Sequence, residues 1–104
     1  MSKKILILGR LDSVVADAKQ FARPDLEVFR GTSIEDMRST FARTNIDHVI
    51  MGAGIDLEIR LQIIREIFQL SDTTTVHMKD RASGPQGFMP FIHAVLRGLV
   101  DDEG

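Results

Sequence analysis

Ile46-Asp47-His48-Val49-Ile50-Met51-Gly52-Ala53-Gly54-Ile55-Asp56, running on into Leu57 through Leu70, is the stretch on which the fold turns. A short apolar run of strand length ends in a glycine turn, and a long segment of helical periodicity follows Asp56. This is the βα half of a parallel-sheet unit. Lys4 to Leu8 is a similar apolar run closed by Gly9, as expected of a central strand buried on both faces. A helix should follow it, capped by Asp12 or Ser13, with Val14, Ala18, Phe21 and Ala22 inward, and stopped before Pro24.

Leu26 to Arg30 mixes apolar and charged residues, as an edge strand does. Thr32-Ser33-Ile34-Glu35 has capping-box spacing, with Glu35 expected to reach back, and Ile34, Met37 and Phe41 form the inward stripe of the next helix. Asn45 suits a left-handed exit from that helix. Beyond Leu70, Thr73 to Met78 is rich in β-branched residues and reads as a fourth strand. Lys79 to Met89 has no periodicity and reads as a loop. Pro90 suits the first turn of a last helix, with Ile92, Val95, Leu96 and Leu99 inward, and Asp101 to Gly104 reads as a frayed tail.

Four strand–helix units with short links predict one three-layer α/β domain over residues 1–104. Its sheet should be four-stranded and parallel in order 2-1-3-4, flavodoxin-like or Rossmann-like. At 104 residues the chain can build one core, and its 43% hydrophobic and 27% charged composition is ordinary for a globular protein. A net charge of −2 gives no case for nucleic acid or an anionic membrane, and the apolar run after Lys3-Lys4 is too short for a leader or a span. With no cysteine, disulfides and thiolate chemistry are excluded, and the expectation is a cytoplasmic protein.

In such a sheet a ligand binds beyond the carboxyl ends of the strands, where strand order reverses. Gly52-Ala53-Gly54 opens like a dinucleotide fingerprint, but the third glycine falls on Leu57, and Asp56 is placed to cap the helix and repel an anion. A tight turn is the better reading. The loop Lys79 to Gly87 is the stronger candidate. Lys79 and Arg81 bring charge and Ser83 a hydroxyl, while Gly84 and Gly87 let backbone N–H groups converge on an anion. Arg10, on the loop after the first strand, could share that anion or simply pair with Asp12. His48, His77 and His93 lack a second ligand three or four residues on and read as structural or surface residues, so no metal site is expected, and no cofactor is implied. No serine or threonine lies in a recognisable nucleophile pattern.

The helix from Leu57 carries two apolar stripes. Leu57, Leu61, Ile64 and Phe68 form one; Ile59, Ile63, Ile67 and Leu70 form the other. The first is expected to cover the sheet. The second is expected to face another subunit, giving a homodimer.

In its βα order and size the chain resembles a receiver domain cut to four units. The residues on which phosphorylated receivers rely differ here: Gly9-Arg10 stand where the family has an acidic pair, Met51-Gly52 where it has its aspartate, and the late Lys-Pro step is missing. The resemblance therefore implies an interaction module without phosphoryl transfer. Two functions follow as expectations. One is a non-catalytic, homo-oligomeric module that binds a protein partner or a small anion. The other is a small enzyme acting on a phosphorylated or carboxylated metabolite, with Arg10, Lys79 and Arg81 holding the anion and Asp12 or Asp56 as base.

Overall fold

The computed structural model describes residues 3–10, 24–82 and 84–101. The helix expected between Asp12 and Arg23 lies outside the described residues, as does the tail beyond Asp101.

Strands β1 (Lys3–Leu8), β2 (Leu26–Gly31), β3 (His48–Met51) and β4 (Thr75–Met78) form one all-parallel sheet in the order β2-β1-β3-β4. The two mixed-composition strands therefore take the edges, and the near-continuous apolar ones take the centre. Helices α1 (Ile34–Arg43) and α2 (Leu57–Leu70) cover one face, where Met37, Ile63 and Ile67 pack on Leu6, Leu8, Val49 and Met51. Helix α3 (Phe88–Asp101) covers the other, with Phe88, Ile92 and Leu96 on Ile5, Ile7 and Ile50. Alternation along β1 feeds both layers, because successive side chains point to opposite faces. The three-layer architecture follows directly.

The α1 cap closes one residue later than its sequence spacing suggests. Ser33 is the N-cap and its Oγ accepts from the Asp36 N–H at 3.1 Å, while Asp36, not Glu35, reaches back to the Thr32 N–H at 2.8 Å. Gly31 allows this, since a Cβ there would lie 2.7 Å from the Asp36 Cβ. Asn45 is not left-handed: α1 ends on Thr44 in an extended conformation, and no non-glycine residue described has positive φ.

Helix α2 corrects the expected roles of its two stripes. Ile63 and Ile67 are completely buried and belong to the core, so they are not free for a subunit interface; of that stripe only Ile59 and Leu70 are exposed. The other stripe, expected inward, is the open one, with Leu57 51%, Leu61 46% and Phe68 51% exposed and Ile64 partly covered. Arg60 explains the rotation: it is only 5% exposed, and at about 100° per residue its position falls on the same side as Ile63 and Ile67. A hydropathy reading assigns an arginine to water and so turns the helix the wrong way.

Candidate functional site

The parallel ladder continues one residue past β1, β3 and β4. Gly9 N–H donates to the Gly31 carbonyl at 3.1 Å, Gly52 N–H to that of Leu8 at 2.9 Å, and Lys79 N–H to that of Met51 at 2.9 Å. All four βα loops therefore leave the sheet at one level and share one rim. On the α1/α2 side of that rim the loops bound a cleft of about 750 Å3, within the size range of small-molecule sites. Arg10 enters from the β1 loop and Arg81 from the β4 loop. Thr32, Ser33, Glu35 and Arg38 come from the start of α1, and Asp56, Ile59 and Gln62 from the start of α2.

The glycines of the β3 loop serve close packing. A Cβ on Gly54 would sit 2.9 Å from the Arg10 Cβ, and one on Gly52 would sit 3.3 Å from the Phe88 ring. Gly54 thus lets the Arg10 stem cross the loop into the cleft. Arg38 is held by a bidentate pair with Glu66, Nε to Oε1 at 2.8 Å and Nη2 to Oε2 at 2.6 Å, which ties α1 to α2 along the cleft. That pair holds the Glu66 carboxyl below its ordinary value. Unlike Arg38, Arg10 and Arg81 make no ion pair among the described residues.

Of the loop residues expected to bind an anion, Arg81 alone is seen in the cleft beside Arg10. Lys79 turns away: it is 4% exposed and its Nζ donates to the Asp80 carbonyl at 2.8 Å. Gly84 and Gly87 do not converge on an anion, because their N–H groups donate to the carbonyls of Arg81 and Gly84, each at 3.1 Å. Gly84 instead holds a turn at φ 70°, where a side chain would be strained, ahead of the short 3-10 turn Pro85–Gly87. Ser83 lies outside the described residues. Asp56 precedes α2 as expected but makes no side-chain cap hydrogen bond. The first N–H groups of α2 are therefore not taken up by the carboxylate that was to block them. Arg38 and the hydroxyl residues Thr32 and Ser33 also line the cleft; the sequence marks Thr32 and Ser33 only as a helix cap and carries no local signal for Arg38.

The histidines lie elsewhere. His48, near the opposite rim, and His77 share a face of the sheet, with Thr75 Oγ1 between them, 2.6 Å from His48 Nδ1 and 3.0 Å from His77 Nε2. The described residues gather no group of three His, Cys, Asp or Glu suited to a metal ion. Burial lowers the pKa of both rings; for His48, Lys3 adds to this and Asp47 opposes it. A lowered folded value means that the unfolded chain binds more protons, so stability is full above the unfolded pKa of about 6.5 and is lost as pH falls through the folded values. The melting temperature should therefore drop between about pH 7.5 and 5.5, and less so in a His48→Gln/His77→Gln double variant. Parallel curves for the two proteins would refute the assignment.

No protein-family model, curated protein or solved structure matches this chain. No helix among the described residues is long and apolar enough to cross a membrane.

Proposed function

We propose that this chain is a cytoplasmic, non-catalytic binding module of receiver-like type, which takes a small anionic ligand in the cleft at the carboxyl ends of its strands. The observation that carries this reading is the approach of Arg10 and Arg81, from two different βα loops, to one cleft that Arg38 also lines. Guanidinium groups offer forked donors that match carboxylate and phosphate oxygens. Glu35 and Asp56 line the same cleft, so a ligand with hydroxyl or amino donors beside its anion fits better than a bare polyanion. An enzyme acting through Asp56 would need that carboxylate sheltered beside the basic loop, whereas it is exposed and Lys79 faces inward. The buried Met51, where receivers carry an aspartate, likewise favours binding over phosphoryl transfer.

Calorimetric titration with inorganic phosphate, sugar phosphates, nucleoside monophosphates and dicarboxylates tests the reading. Arg81→Ala should weaken the bound anion by about 1.5–3 kcal/mol, the worth of a charge-assisted hydrogen bond. Gly54→Ala should also weaken it, without removing a charge, by displacing Arg10. Absence of heat across the series would end the proposal, and unchanged affinity in Arg81→Ala would take that residue out of the site.

A further inference from the structure

Helix α2 keeps its α1 side polar or cleft-facing: Glu66 holds Arg38 there, and Ile59 and Gln62 line the cleft. At about 100° per residue, Leu57, Leu61, Ile64 and Phe68 fall within an arc of about 60° on the opposite side, over the β4 edge. Among the described residues strand β4 has no strand paired on its outer side, and Val76 and Met78, partly buried, pack into the same layer as α2. Open helix stripe and open sheet edge thus make one continuous apolar shelf.

We propose that this shelf binds a second copy of the chain, across a two-fold axis that sets the two α2 helices antiparallel. The charges bordering the stripe select this occupant. Glu58 and Arg65 are both exposed and lie seven residues apart on the solvent side of the stripe. The midpoint between them and the midpoint of Leu57–Phe68 differ by one residue, about 1.5 Å along the helix. An antiparallel copy therefore brings Glu58 opposite the partner's Arg65, and Arg65 opposite the partner's Glu58, while Leu61 and Ile64 meet at the axis. A parallel two-fold copy would place the two charged flanks on opposite sides of the seam, so that neither Glu58 nor Arg65 meets its counterpart. One patch serves both subunits. The cleft is on the α1 side of α2, so this inference stands independently of the ligand reading.

A helix of this length offers a shelf about 21 Å long, at the small end of stable interfaces, so dissociation in the micromolar range is expected. Sedimentation over about 1 to 200 µM should show a mass rising from 11.6 kDa toward twice that value. Leu61→Glu should leave a monomer with an unchanged circular dichroism spectrum. Glu58→Arg and Arg65→Glu should each weaken association by about tenfold or more, and the double reversal should restore it. A wild-type monomer throughout the range overturns the proposal. So does a dimer indifferent to Leu61→Glu, or single charge reversals that the double variant does not repair.

Discussion

Ile63→Ala is expected to lower the unfolding free energy by about 2–5 kcal/mol, whereas Leu61→Ala, two residues away, should change it by less than about 0.5 kcal/mol. Ile63 is fully buried against the side chains of β1 and β3, and truncation there removes apolar contact and leaves a cavity. Leu61 is 46% exposed, and alanine is the better helix former. Urea unfolding at submicromolar protein, where association does not contribute, makes the comparison. Ile63→Glu should then unfold the subunit rather than part a dimer, because it buries a charge against Leu6, Leu8 and Met51. Equal losses at Leu61 and Ile63 would mean that α2 is turned on the sheet otherwise than described.

That contrast also marks how far the sequence could be read. Alternating βα units, glycine turns and the composition of Leu26 to Arg30 were enough for a parallel sheet with its strands in order, since topology follows from element type and short links. The existence of two apolar stripes on α2 was legible too. Which one is buried was not, because both rows are aliphatic and the deciding residue, Arg60, is of a type that normally faces water. Lys79 misled in the same way: nothing local distinguishes a solvated lysine from one whose ammonium folds back onto a backbone carbonyl. In the cleft, Arg10 and Arg81 were found by the rule that loops at strand ends bind ligands. Arg38 was not, because its place depends on how two helices lie side by side, a long-range fact with no local signature.

Arg60→Met should cost about 1.5–3 kcal/mol and loosen the cleft, though it touches no ligand. Arg60 is 5% exposed, with Nε donating to the Ile55 carbonyl at 2.9 Å and Nη1 reaching the Lys79 carbonyl at 3.5 Å. Ile55 closes the β3 loop and Lys79 opens the β4 loop that carries Arg81, so one side chain joins two walls of the cleft. Methionine keeps much of the apolar stem but leaves the Ile55 carbonyl without this donor inside the protein, which is the costly way to lose a hydrogen bond. Desolvation of the lost charge opposes that cost, since burying a cation is itself unfavourable. Arg60→Lys should not rescue the variant, because a single ammonium lacks the planar fork that serves two carbonyls on different loops. Amide exchange should speed up at residues 53–56 and 79–82 in Arg60→Met while the β1 and β3 amides keep their protection. Arg60→Met with wild-type or greater stability and unchanged loop exchange would show that the two walls are held by something other than this arginine.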